Sequence, residues 1–336
     1  MTKTLGALAL AALATGTALA APALAQEDGL TVGYFLEWPM PFEFAKAQGL
    51  YEERLGVPVT WVSFDGGTAM SAAMASGDVD ISISQGVPPF VVATSAGQDL
   101  VALDVSVSYS DNDNCVVQSS LEIDAENAGT ELPGKRVAVP LGTAPYYGFL
   151  RQMEHFGVDP ASLEVVDMAV PDGSAAFSNG SVDVFCGWGG PLRRALETGN
   201  VLLTGAEKEE LGILVFDVTS SPASFVAEHP DLVEGFLAVT HEMNDRWNAG
   251  GADAEAMISV IAQDSGMDEA AAAETLATFV FPGTDDQLSA KWLGGGVQEY
   301  MAGVAGVFVG AGSIPSALDS YDGVVDIAPL QAATGM

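Results

Sequence analysis

Val79-Asp80-Ile81-Ser82-Ile83 followed by Gln85-Gly86-Val87-Pro88-Pro89 and an apolar run through Phe90 sets the fold class. Apolar residues alternate with polar ones over 79–83, which reads as a strand, and the glycine-bearing turn leads into a helix. The same unit occurs earlier. Leu30-Thr31-Val32-Gly33-Tyr34 precedes a helical segment over 42–53, and Val59-Thr60-Trp61-Val62-Ser63 runs through Asp65-Gly66-Gly67-Thr68 into an Ala- and Met-rich helix. It restarts at Arg136-Val137-Ala138-Val139, where Gly142-Thr143-Ala144-Pro145 opens a helix to about Phe156. Leu163–Asp167, Val182–Cys186 and Ile213–Val218 are further strands, and the final hundred residues read mainly as helices. Strand, turn and helix in repetition predict an α/β fold built from parallel β/α units.

The chain has 336 residues, 49% hydrophobic, with 11 Lys and Arg against 45 Asp and Glu for a formal net charge of −34. That length allows one large domain or two ordinary ones. The acidity excludes nucleic acid as a partner and disfavours anionic membrane surfaces. Residues 1–25 carry Lys3, an Ala/Leu-rich run and Ala23-Leu24-Ala25 before Gln26-Glu27-Asp28, which reads as a secretory signal cleaved near Ala25. In an exported chain the two cysteines, Cys115 and Cys186, are candidates for a disulfide between neighbouring strands, the alternative being two buried free thiols.

No flexible linker or repeat divides the chain. Two lobes joined by extended crossovers near residues 105–115 and 214–220 fit best, with residues 26–110 and 215–336 in one lobe and 111–214 in the other. Ligands of such sheets bind where the βα turns converge, so the cleft between lobes is the candidate site.

The stretches Phe64-Asp65-Gly66-Gly67, Ala75-Ser76-Gly77-Asp78-Val79-Asp80-Ile81, Gly134-Lys135-Arg136-Val137-Ala138-Val139-Pro140 and Ser224-Phe225-Val226-Ala227-Glu228-His229-Pro230 resemble, in order and spacing, the periplasmic solute-binding proteins of nitrate/sulfonate/taurine-type ABC importers. The resemblance covers about residues 29–320. It implies a two-lobed, type II venus-flytrap binding protein, monomeric and without a catalytic step or cofactor, that delivers a small zwitterionic or sulfonate ligand to a permease and its ATPase.

Glu37 and Asp217 fall at positions similar to those where the taurine-binding branch places carboxylates for the substrate ammonium, and a charge-assisted hydrogen bond there is worth a few kcal/mol. The alternative is that both are ordinary surface acids. For the anionic end, backbone N–H groups at helix N-termini are the candidate donors, in the turns Gly66-Gly67-Thr68, Gln85-Gly86-Val87 and Gly142-Thr143-Ala144. By resemblance the last, with Thr143 as hydroxyl donor and helix cap, is the sulfonate cradle. The sequence departs from the taurine pattern at Ala144, Pro145, Gly86 and Val87, where hydroxyl residues are common.

Trp38, Tyr146, Tyr147 and Trp188 fall in turns expected to face the cleft. They either cover the aliphatic middle of a small zwitterion or box a methylated ammonium by cation–π attraction. His155, His229 and His241 are too dispersed for a metal site and are expected at solvent-facing helical positions. No nucleophile elbow, phosphate-binding loop or HExxH motif is present. Thiamine-pyrimidine synthases share the fold type, but their Lys and His chemistry is not displayed. The ligand expected is an amino-sulfonate, taurine first, with a choline- or betaine-like methylated amine or other small zwitterion as the alternative.

Overall fold

The computed structural model describes residues 29–335; the leader expected over residues 1–25 lies outside the described residues. Ten strands are described: β1 (Leu30–Phe35), β2 (Val59–Phe64), β3 (Ile81–Gly86), β4 (Leu100–Ser108), β5 (Asp113–Gln118), β6 (Arg136–Val139), β7 (Glu164–Asp167), β8 (Val184–Trp188), β9 (Gly199–Val201) and β10 (Phe216–Pro222). They form two five-stranded sheets, ordered β2-β1-β3-β10-β4 and β7-β6-β8-β5-β9.

The β/α units are parallel as expected: β1 pairs β2 and β3, and β6 pairs β7 and β8, all in parallel. The sheets as wholes are mixed. β10 lies antiparallel between β3 and β4, and β5 lies antiparallel between β8 and β9. Each antiparallel strand is the first one laid down after the chain has passed from one sheet to the other. It enters at the edge where the parallel strands end, and so must run against them. The first residues of β5 and β10 are therefore set beside the carboxyl ends of parallel strands: Asp113 is opposite Trp188, and Asp217 is opposite Gly86.

Strands β3, β4 and β10 of the first sheet are buried on both faces, so the Ser, Thr and Asp residues that alternate with their apolar ones are buried too. Val32, Ile81, Ile83, Val105 and Val218 are fully buried in the first sheet, and Val116, Ala138 and Phe185 in the second. The helix expected over 42–53 is two helices, Phe42–Gln48 and Leu50–Leu55, because Gly49 adopts a left-handed φ of 68° that closes the first and opens the second. Cys115 and Cys186 form the disulfide, directly opposed on β5 and β8. His241 departs from the expectation of a solvent-facing role. It is buried with Nε2 3.0 Å from the Asp104 carboxylate, because its helix, Pro230–Asn248, packs that face against the first sheet.

Candidate functional site

At the carboxyl edge of both sheets, Phe35, Trp38, Gly67, Gly86, Pro89, Tyr109, Asp113, Thr143, Ala144, Trp188 and Asp217 line a small cavity. Its floor in the first sheet is Asp217. The Ser84 hydroxyl donates to Oδ2 at 2.6 Å, the Tyr109 hydroxyl donates to Oδ1, and the Trp38 indole N–H donates to the Ser84 oxygen at 2.8 Å. Ser84 reaches Asp217 because the backbone is distorted there. It sits at φ 67° within β3, where the pairing with β10 shifts register between Val218 and Ser220. Such a bulge re-aims a side chain, and the unfavourable φ is held by the surrounding strands.

Burial pushes the Asp217 carboxyl up to about 7, against the pull of the two hydroxyl donors, with the nearby Asp113 pushing the same way. Asp113 is also raised to about 7 by burial, partly countered by the charge of Lys208. The Lys208 ammonium does not pair with that carboxylate. It donates to the backbone carbonyls of Ser110 (2.9 Å) and Asp113, fastening the segment that crosses from β4 to β5.

Aromatic rings form the walls. Trp38 meets Tyr109 edge-on at 4.6 Å between centroids and leans on Phe279 at 4.6 Å, while Phe35 packs on Trp188 at 5.7 Å. Phe35 and Trp188 also line an outer groove with Glu37, Asp65, Pro171, Pro191 and Arg194, so this ring pair divides the inner cavity from the groove.

Six residues expected at the ligand thus line the cavity: Trp38, Gly86, Thr143, Ala144, Trp188 and Asp217. Four do not. Glu37 faces the outer groove, its carboxylate taken by Arg194 at 2.8 Å. Gln85 is buried with its amide spent on structure: Nε2 donates to Gly67 O and Ser71 Oγ, and Oε1 accepts from Ser220. Gly142 turns the chain at φ 74° beside Val92 and Thr68. Tyr146 stacks on Phe149 and Phe308, with its hydroxyl accepting from Ser313. Thr143 differs in role as well. Its hydroxyl donates to Pro140 O at 2.5 Å rather than capping the Ala144–Phe156 helix, so towards the cavity it offers lone pairs, not a proton.

Asp113 and Tyr109 were missed because nothing local marks them. The one available signal was their position on the crossover, in the polar run Asp111-Asn112-Asp113 just before apolar Cys115-Val116-Val117.

Residues 40–244 match the family described as NMT1/THI5 like. The chain belongs to the NMT1/THI5-like family. Within it, the chain is 30% identical over 213 residues to the taurine-binding periplasmic protein of Escherichia coli K12, a match covering 63% of this chain and 64% of that protein, just under two thirds of its length. Among solved structures it is similar to the alkanesulfonate-binding protein SsuA from Xanthomonas axonopodis pv. citri, bound to MOPS, at TM-score 0.74 and 24% identity over 89% of this chain and 98% of that one. That likeness shows a two-lobed binding-protein fold. The same fold carries catalysis elsewhere: the desulfurization enzyme DSZB superimposes at TM-score 0.62 and 14% identity, over 92% of this chain and 99% of that one. The activity of this NMT1/THI5-like chain has to be argued from its own cavity.

Proposed function

We propose that the protein is the periplasmic binding component of an ABC importer and captures a small amino-sulfonate, taurine first, by closing its two lobes over it. The carrying observation is Asp217, a buried carboxylate on the cavity floor whose oxygens are steered by Ser84 and Tyr109. An ammonium placed against it gains a charge-assisted bond in a site that excludes water, and keeps the acid ionised. The likeness to a taurine-binding protein supports the same reading. The lobes would be residues 26–110 with 215–336, and 111–214. Capture would be followed by transfer to a permease and its ATPase, the protein acting as a monomer with a leader removed near Ala25.

A second reading rests on the rings. Phe35, Trp38, Tyr109 and Trp188 surround the cavity, an arrangement suited to a methylated ammonium of the choline or betaine kind.

A thermal-shift screen separates the two, because a ligand of the folded state raises the melting temperature. Taurine is expected to raise it while ethanesulfonate, which lacks the amine, does not. A shift with choline or glycine betaine alone would transfer the role to the second reading, and a shift with ethanesulfonate equal to that with taurine would remove Asp217 from recognition.

A further inference from the structure

We propose that Asp113 is a second anchor for the ligand ammonium, so that one cation is held between a carboxylate from each sheet. The inference rests on the amine reading above and goes beyond it in naming a residue from the other side of the cleft.

Asp113 is buried and lines the cavity, yet its Oδ2 accepts no hydrogen bond. A buried carboxylate oxygen left without a donor is costly, and such a group in a cleft points to a partner that arrives from outside. The obvious internal partner is otherwise engaged: Lys208 spends its protons on the carbonyls of Ser110 and Asp113 itself. No Lys or Arg side chain lines the cavity.

The topology makes Asp113 the counterpart of Asp217. Each lies at the start of the antiparallel strand that follows a crossing, opposite the last residue of a parallel strand, Trp188 for one and Gly86 for the other. Two like charges facing each other from two sheets oppose closure, and a cation between them turns that repulsion into attraction to both sides. Two of the helix ends around the cavity have lost N–H donors that would favour an anion there. Pro88 and Pro89 remove two N–H donors from the first turn of the Val87–Ser95 helix, and Pro145 removes one from the Ala144–Phe156 helix. The site is thereby biased towards ligands whose positive end is a full cation with N–H donors to share between two acids.

The test is calorimetric titration of the wild type, Asp113→Asn and Asp217→Asn with taurine and with ethanesulfonate, together with the melting temperature of each ligand-free protein. Asn is isosteric and Asp113 accepts no side-chain hydrogen bond, so the ligand-free Asp113→Asn protein is expected to melt at or above the wild-type temperature at pH 8. Its taurine affinity is expected to fall at least tenfold. Taurine binding to the wild type near pH 6.5 is expected to release protons, seen as a buffer-dependent heat, and Asp113→Asn is expected to reduce that release. A purely structural Asp113 would change the melting temperature and leave proton release intact. Taurine affinity within twofold of wild type in Asp113→Asn, with Asp217→Asn impaired, overturns this inference alone. Equal wild-type affinity for taurine and ethanesulfonate overturns the amine reading and this inference with it.

Discussion

Glu37 Oε2 and Arg194 Nη1 meet at 2.8 Å, joining the turn after β1 in the first sheet to the Gly189–Leu196 helix that follows β8 in the second. Gly190 receives the acid, since a Cβ there would fall 1.9 Å from Glu37 Oε2. Glu37 itself is held at φ 53° with its N–H donating to Ser265 O at 2.8 Å. The pair therefore ties the two sheets together outside the Phe35–Trp188 ring pair.

Breaking the clasp lowers affinity without touching the cavity. The pair is partly exposed, so about 0.2–1 kcal/mol is at stake and Arg194→Ala is expected to weaken taurine by no more than about fivefold, an effect that shrinks in high salt. Gly190→Ala is expected to cost more, because the new methyl occupies the space of the carboxylate. Calorimetric titration at low and high salt checks both, and an unchanged affinity in Gly190→Ala would show that the clasp does not form in the liganded protein.

Replacing Asp217 by Asn keeps the shape of the floor and removes the charge. Taurine is expected to weaken tenfold or more, a loss of about 1.4 kcal/mol. The melting temperature of the ligand-free variant at pH 8 is expected to be no lower than that of the wild type. A ligand-free variant that melts several degrees below the wild type would mean that the substitution damages the cavity rather than the ammonium contact.

Stability of the ligand-free protein is expected to fall as pH rises. Asp113 and Asp217 are both raised to about 7 in the folded chain. In the unfolded chain they return to about 3.9. Over that window the folded state binds more protons, so stability is fully present below the unfolded value and is lost as pH climbs through about 7. Lys208 tempers the effect at Asp113, and buried Glu43, raised by burial and by Asp264, contributes in the same direction. Melting temperatures from pH 5 to 8 check the slope, which should be shallower in Asp113→Asn. A melting temperature that rises steadily to pH 8 in the ligand-free wild type would contradict the assignment.

The Cys115–Cys186 bridge ties β5 to β8 two residues from the Asp113–Trp188 pair. It closes a span of 71 residues, for which chain entropy gives a contribution of about 4 kcal/mol. Reduction, or Cys115→Ser with Cys186→Ser, is expected to lower the melting temperature by several degrees and to weaken ligand binding as Asp113 and Trp188 loosen. A melting temperature unaffected by reductant would show the bridge to be unimportant.

The repeating strand, glycine turn and helix made the parallel units legible, because each obeys a local period. The antiparallel strands were not read as such: β10 was expected as the run Ile213–Val218, while its ladder is Phe216–Pro222, and its direction is set by where the chain crosses between sheets. The same limit applies to the site. Trp38 and Trp188 could be placed because they follow strand ends, where βα turns converge, and Asp217 by the resemblance to the taurine-binding branch. Glu37 could not, since the partner that claims it is 157 residues away in sequence. Thr143 looked like a helix cap, but its hydroxyl turns back to Pro140, and whether it accepts from a helix N–H or donates to a nearby carbonyl is not decided by composition. Asp113 is marked in the sequence only by its place in a polar run on the crossover. What singles it out is burial without a donor, a property that exists only once both sheets are in place.

A crystal structure of the protein grown with taurine is expected to show the taurine nitrogen in the inner cavity at about 2.7–2.9 Å from an Asp217 carboxylate oxygen, the distance of an N⁺–H···O⁻ bond. Taurine bound with its nitrogen away from Asp217, in the outer groove beside Glu37 or pointing to solvent, would contradict that contact.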